Sequence, residues 1–553
     1  MALTASMVLA ASSQKIEEQV NEFITQGNFT EADRQVDSAL AVTPDDYHLL
    51  TAKGNILLAQ DKHAEALAIY EQALEHKDKY PDALYGAGTC ALKVGENEKA
   101  LDYFERGVKT KKRKSEFIYG KAIAQKELGE LAEADKTIRK AIKDDDKNAA
   151  LHRAFGDINY AKEVWSFAMD GFKKSLELEP NQTDLYYKIA RANLMSHNFT
   201  ESVKWYKDYL KINDTDIKAW KELSDICVAA KLPNEAVFCY KKLTELEPEN
   251  GEFWYTLGDL YFSLRQYEDA GISLEKSVSY GFNVAESYKR LAKVYQLREE
   301  YYRADSAYTR YENEMGEPDE AEYWYDKGKV MIKIGTKDAA FFNRAVSAFD
   351  KAIALDSTVD SYWEYAGLAR YYKQDYRGAI PFFIKRIEFG GENVNSLRNL
   401  AFCYLKTENY NKAAEALEKA IALKPDDAVM RKMVGKIYIF LSRENPDIVN
   451  KAIPHLKVAI NSEMGALKPA EKCESVADLG YCYVALREPK NAILYLEQAY
   501  KCMPKDVDNL MNLASSYHLD NQIDLANEFY NKVLDIEPNN KAAKEGALRT
   551  KKR

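Results

Sequence analysis

One period of about 34 residues runs through nearly the whole 553-residue chain. Its clearest mark is a small residue following a hydrophobic one near the start of each unit. It falls at Val20, Gly54, Gly88, Ala122, Gly156, Ala190, Ser224, Gly258 and Ala292, each 34 positions after the last. The series continues, with a few insertions, at Gly328, Gly367, Ala401, Gly435, Gly480 and Ala514. A second small residue usually follows twelve positions later, at Ala32, Ala66, Ala100, Ala134, Ala168, Ser202, Ala236, Ala270 and Ala304. Self-similarity at a fixed period of this length dictates a stack of like supersecondary units before local propensity is weighed. Apolar residues inside each unit recur at steps of three and four, so each unit is two short helices.

Small residues at the contact positions let antiparallel helices approach closely, and an aromatic fills the notch between neighbours. Four tryptophans (Trp220, Trp254, Trp324, Trp363) share one repeat position, and Pro44, Pro180, Pro248, Pro425, Pro504 and Pro538 share another. The late proline cannot continue the second helix and ends it. One such hairpin cannot bury its apolar stripe alone, whereas stacking on both neighbours does. The pattern Trp254, Leu257, Gly258, Tyr261, Ala270, Leu274, Ser277 resembles the tetratricopeptide repeat, as does Leu397, Leu400, Ala401, Tyr404, Ala413, Leu417, Ala420, Pro425. About fifteen repeats cover roughly residues 13–540. The resemblance implies an all-α, right-handed superhelical solenoid of stacked hairpins, about thirty helices with no strand of consequence. Nearly every repeated Leu, Ala, Tyr and Trp is then a packing residue.

The register also predicts an organisation. Residues 1–12 precede the array, residues 13–314 form a regular array of about nine repeats, and 315–540 form a second, less regular one of about six. The break is Gly316-Glu317-Pro318; insertions lie around Gly335–Asn343 and Ser442–Asn450, and a longer connection spans Asn461–Glu474 with Gly465 and Pro469. Residues 541–553 read as a basic tail or capping helix. The opening Met1–Ser12 is apolar and small and is similar to the end of a secretory signal, although no basic residue precedes Lys15. It points to an exported protein of the periplasm or cell envelope; a cytoplasmic setting is the alternative. No segment reaches the ~20 apolar residues needed to span a bilayer.

Composition and motifs exclude several functions. With 78 Lys plus Arg against 87 Asp plus Glu, a formal charge of −9, the chain is not built as a nucleic-acid binder. The basic run Lys109–Lys114 is a solvated helix end, where cations suit the macrodipole, and Asp144-Asp145-Asp146 offsets it one repeat on. The seven cysteines show no CxxC and no paired spacing, which predicts no disulfide framework; Cys227–Cys239 stands as one chance pair. Cys90, Cys403 and Cys482 share one helix position and read as small core residues. The seven histidines fall in separate repeats, mostly on polar faces, and no His-Glu-x-x-His or phosphate-binding glycine loop occurs. The longest stretch outside the repeats is about fourteen residues, too short for a catalytic domain. The chain is therefore expected to be non-catalytic, with no metal and no cofactor.

In the family it resembles, the first helix of each hairpin lines a groove, with open positions three before and one after the small residue. Carried onto this chain, that implies Tyr187 and Arg191, Lys221 and Asp225, Tyr255 and Asp259, Lys289 and Lys293, and Tyr325 and Lys329. Arg398 and Phe402, then Lys432 and Lys436, follow. Tyrosines mixed with cations suit a protein or peptide partner carrying acidic groups or a free C-terminus. Family members that clamp chaperone C-termini use a set of Lys, Asn and Arg of which only Asn55 is matched here. The expected function is an interaction scaffold; the alternative is an exported envelope-assembly or glycan-handling protein that uses the tyrosine-rich middle repeats.

Overall fold

The computed structural model describes residues 2–110, 112–463 and 467–551, with side chains from residue 12 on. Among these there are 31 α-helices and one 3-10 turn, Pro446–Ile448, and no strand. Met1 and the side chains of the signal-like stretch up to Ala11 lie outside the described residues, as do Lys111 of the basic run and Gly465; the backbone from Ala2 opens the helix Ala2–Thr25. Within each unit consecutive helices pair as antiparallel hairpins, from Ala2–Thr25 with Phe29–Leu40 in the first to Val507–Leu519 with Ile523–Ile536 in the second, where Lys541–Lys551 follows them. No described helix is long and apolar enough to cross a membrane. The chain divides into two compact units, Met1–Leu264 and Arg265–Arg553. The lengthened connection at Gly316 joins two helices inside the second unit, Tyr301–Met315 and Ala321–Gly335.

The repeated small residues sit where the helices touch. Ala32, Ala66, Ala100, Ala134, Ala168, Ser202, Ala236, Ala270 and Ala304 are all fully buried. Ser202 shows what the position faces, because its hydroxyl donates to the carbonyl of Ala190, the first small residue of the same repeat, at 2.9 Å. In two repeats the notch-filling ring has glycines on both sides. Phe104 lies between Gly88 and Gly120, where an added Cβ would stand 2.7 and 2.4 Å from the ring. Tyr70 is held in the same way by Gly54 and Gly86.

The turn inside each hairpin repeats as faithfully as the helices. Seven residues after the first small residue the backbone enters the left-handed region in Gly27, Gly95 and Gly129. It also does so in ten non-glycine residues: Asp61, Glu163, His197, Lys231, Arg265, Glu299, Gln374, Glu408, Arg487 and Asn521. Such a residue at φ > 0 costs roughly 1–2 kcal/mol, so the short turn is enforced by the packing of the helices it joins. The corresponding positions Gly335 and Ser442 lack it, and theirs are the two repeats with residues inserted between the helices.

The cysteine expectation is corrected. Cys473 and Cys502 form a disulfide, with Cα atoms 6.4 Å apart, while Cys227 and Cys239 are free thiols in the core. Cys473 stands at the start of one helix and Cys502 at the end of its antiparallel mate, a juxtaposition that spacing of 29 residues does not announce. Of the histidines, His48 and His455 are buried rather than on polar faces. His48 Nδ1 lies 2.6 Å from Glu17, which also accepts from the Tyr80 hydroxyl at 2.7 Å, so three helices of the first unit meet there. Asn55 is occupied internally, between Asn21 at 2.9 Å and the Tyr70 hydroxyl at 2.6 Å. The core reading of Cys90, Cys403 and Cys482 holds. All three are fully buried, and burial pushes the Cys90 thiol up to about 11 and the other two to about 12.

Candidate functional site

Several first helices pack directly on the next within their unit, as Tyr47–Ala59 does on Pro81–Val94 and Pro469–Ala485 on Val507–Leu519. Their exposed edges therefore form one surface, and charges on it reach across repeats. The residue one after the small position pairs with the residue two before the next small position. This gives Asp157 with Lys188 at 2.6 Å, Arg191 with Glu222 at 4.0 Å, Lys293 with Asp326, and Lys436 with Asp478 at 3.8 Å. The residue three before the small position reaches an acid near the start of the next first helix. Here Arg153 meets Asp184 at 2.6 Å, Lys221 meets Glu252 at 3.6 Å, Lys289 meets Glu320 at 2.7 Å and Lys432 meets Glu474 at 3.1 Å. Two parallel series of ion pairs thus tie several first helices to the next within each unit.

The candidate residues fall into place along these series. Tyr187 packs its ring on Tyr206 and Tyr209, with the Arg191 guanidinium 5.9 Å from its centre. Lys221 lies 5.9 Å from the Phe253 ring as well as beside Glu252. Tyr255 and Asp259 are half-buried on Gly251–Ser263, the last helix of the first unit. In the second unit Lys289, Lys293, Tyr325 and Lys329 come together. Asp326, 8% exposed, takes both Lys293 and Lys329, the latter at 2.8 Å, and Lys329 stands 4.5 Å over the Tyr325 ring. Tyr325 itself packs on Tyr362 and Tyr365 at 5.0 and 5.3 Å and on Phe349 at 6.0 Å. Arg398 is exposed and donates to Asn395 at 3.4 Å, and Phe402 packs on Tyr371 and Tyr376.

The electrostatics follow from this pairing. Burial would lower the Lys289 and Lys329 ammonium groups, but Glu320 and Asp326 outweigh it and raise both. Burial raises the Tyr325 phenol, so it is a neutral hydrogen-bonding ring at neutral pH. Each cation read from the first helices of residues 187–329 is thus already beside a carboxylate of this chain. An incoming acidic group must compete with that carboxylate or bind beside it. The acidic partners Glu222, Glu252, Glu320 and Asp326 were not singled out by the repeat register. The signal for them was an opposite charge 31 residues further on, or 33 across the Gly316 break. Among the described residues no group of three His, Cys, Asp or Glu side chains is placed to hold a metal ion.

Comparison with known proteins agrees with the repeat. Tetratricopeptide repeat models match residues 18–81, 57–113, 239–271, 394–427 and 507–540. The TPR repeat protein oca3 of Schizosaccharomyces pombe is 31% identical over 24% of this chain and 44% of its own length. The BBSome complex member BBS4 homolog of Drosophila melanogaster is 20% identical over 48% of this chain and 62% of its own. A TPR repeat-containing protein of Methanocaldococcus jannaschii is 23% identical over 72% and 66%. The chain thus spans from under half to about two thirds of these relatives. Among solved structures, a tetratricopeptide repeat protein from Parabacteroides merdae is 19% identical, covering 51% of this chain and 98% of that one with a TM-score of 0.31. The Naa15/Naa10 complex bound to HypK-THB is 12% identical, covering 98% and 96%, with a TM-score of 0.30. Family models thus match repeats from the start of the array to its end, and the chain is a tetratricopeptide repeat protein.

Proposed function

We propose that this protein is a non-catalytic interaction scaffold that holds a polypeptide on the surface of its first helices. The observation that carries the reading is the half-buried pair Tyr325 and Tyr365, packed over the buried rings of Tyr362 and Phe349 and beside Lys329. Rings already packed on one another give contact area at little further entropic cost, which is how interface hot spots are built. Lys289, Lys293 and Lys329 flank them, so a partner segment carrying acidic groups or a free C-terminal carboxylate gains charge-assisted hydrogen bonds. Tyr187 with Arg191, Lys221, and Tyr255 with Asp259 stand at the equivalent repeat positions of the first unit, and Arg398 at one of the second. The test is affinity capture from the native cell with wild type and with Tyr365→Ala, at low and at high salt. Polypeptides that depend on this surface are lost with the variant and weaken as salt rises. Identical co-purifying sets for the two proteins contradict the reading.

A second proposal concerns the setting. The Cys473–Cys502 bond, with Cys502 exposed, favours an oxidising compartment and so the exported reading over the cytoplasmic one. Alkylation of the protein in unreduced native extract decides it. The oxidised protein exposes two fewer reactive thiols than the reduced one, and equal labelling before and after reduction places it in a reducing compartment.

A further inference from the structure

Second helices of successive repeats are held apart by the first helix between them, so the opposite surface of each unit is a row of grooves. One of these, in the second unit, is a cavity of about 280 Å³ between helices Tyr267–Ser279 and Tyr301–Met315, floored by Val284–Leu297. Its apolar lining is Leu291 on the floor with Val278 and Ala307 on the two walls. Its two arginines are in different states. Arg303 is fully engaged: it meets Glu275 at 2.5 Å and Glu300 at 2.8 Å and lies 4.2 Å over the Tyr295 ring. Arg310 is exposed and forms no ion pair among the described residues. Its one hydrogen bond goes to the neutral Tyr288 hydroxyl at 2.8 Å, whose ring it overlies at 5.5 Å.

That arrangement has a specific chemistry. A guanidinium has five N–H donors, and Arg310 uses one. Because the Tyr288 oxygen accepts from Arg310, its own proton is available to donate outward. A carboxylate at the rim would take Arg310 N–H groups on one oxygen and the Tyr288 O–H on the other. The apolar floor, about the volume of one or two aliphatic side chains, would take a neighbouring apolar group. We propose that this cleft binds an acidic side chain of a partner polypeptide that stands next to an apolar residue. Charge complementarity selects the occupant: the cleft offers one uncompensated cation above an apolar pit, and an acidic residue with an apolar neighbour supplies both complements. The cleft shares no lining residue with the tyrosine cluster, and the proposal stands independently of the one made for that cluster.

Fluorescence anisotropy with the full-length protein tests it, using a labelled, C-terminally amidated peptide Gly-Ser-Leu-Glu-Leu-Ser-Gly. Its Glu→Gln counterpart and a Gln peptide with a free C-terminus are measured beside it. The Glu peptide binds, the amidated Gln peptide binds about tenfold more weakly, and Arg310→Gln loses the same factor, as expected for a charge-assisted pair. Arg310→Lys retains part of the affinity, and the melting temperature of Arg310→Gln matches wild type. The assignment is overturned by equal binding of the Glu and amidated Gln peptides, by wild-type affinity in Arg310→Gln, or by no binding at millimolar peptide. Preference for the free C-terminus alone overturns it too, by assigning the cleft to a terminal carboxylate.

Discussion

The indole N–H of Trp220 donates to the carbonyl of Asp214, six residues earlier, at 2.7 Å. The same bond recurs from Trp254 to Pro248, from Trp324 to Pro318 and from Trp363 to Ser357, at 2.7 to 2.9 Å. His152 and Arg431 occupy the same register position and reach the carbonyls of Asp146 and Pro425 with their own N–H groups. The repeat therefore asks this position for an N–H donor that fastens the connection between repeats to the helix that follows. Trp220→Phe keeps most of the buried ring and removes the donor, and is expected to cost about 0.5–1.5 kcal/mol in denaturant unfolding. Trp220→Ala also empties the site and costs about 3–5 kcal/mol. Equal losses for the two would show that the indole N–H contributes nothing.

Gly88 and Gly120 leave room for Phe104 and nothing larger. Gly88→Val drives two methyl groups into a ring that is 1% exposed and is expected to lower stability by about 1–3 kcal/mol or more. Gly95→Ala, at the neighbouring turn where nothing lies within 4 Å, meets only backbone strain at its φ of +81° and costs about 1 kcal/mol. Thermal or urea unfolding ranks the two.

The turns make a prediction in the opposite direction. Glu163 has φ of +59°, where Gly95 and Gly129 show that glycine serves equally. Glu163→Gly relieves the strain of a left-handed residue, less what the unfolded chain gains in freedom, and should stabilise by a few tenths to about 1 kcal/mol. Glu163→Val should destabilise by more than that. A loss on Glu163→Gly would mean that the side chain, not the backbone, sets this turn.

His455 carries a pH dependence. Arg431 donates to its Nδ1 at 3.1 Å, so that nitrogen is an acceptor and the proton sits on Nε2, 3.0 Å from Glu418. Burial lowers the imidazole below its ordinary value, the Arg431 charge adds to this, and Glu418 only partly opposes it. In the unfolded chain the ring titrates near the usual ~6.5. Below that pH the unfolded state takes a proton that the folded state refuses, so stability is full above ~6.5 and falls as pH drops toward the folded value. Urea midpoints should decline between about pH 7 and 5.5 in wild type and flatten over that window in His455→Gln. The same decline in the variant would assign it to other groups.

The fold was legible because its determinants repeat: small residues at two fixed positions, an aromatic, a late proline. What repeats in geometry but not in chemistry was hidden. Asp61, Glu163, His197 and Lys231 share a left-handed backbone and no side-chain property, since the length of the turn, not the residue, imposes it. The surface of the first helices was half legible. Register placed Lys289 and Lys293 on it, but their partners Glu320 and Asp326 belong to the next repeat, and a face read one helix at a time looks open where the stack closes it. Arg310 lay on a second helix, a face the family resemblance did not direct attention to. The Cys473–Cys502 bond was missed because an antiparallel hairpin joins the start of one helix to the end of the next, far apart in sequence.

The central claim is that partners bind the surface of the first helices through its tyrosine cluster. Site-specific photo-crosslinking in the native cell tests it most directly, with the photoreactive residue at position 365 in the cluster and, as control, at Lys419 on a second helix. Residue-specific polypeptide adducts at 365 that are absent at 419 and disappear in Tyr325→Ala are the predicted result. No adduct at 365, or the same adducts at both positions, would contradict the account.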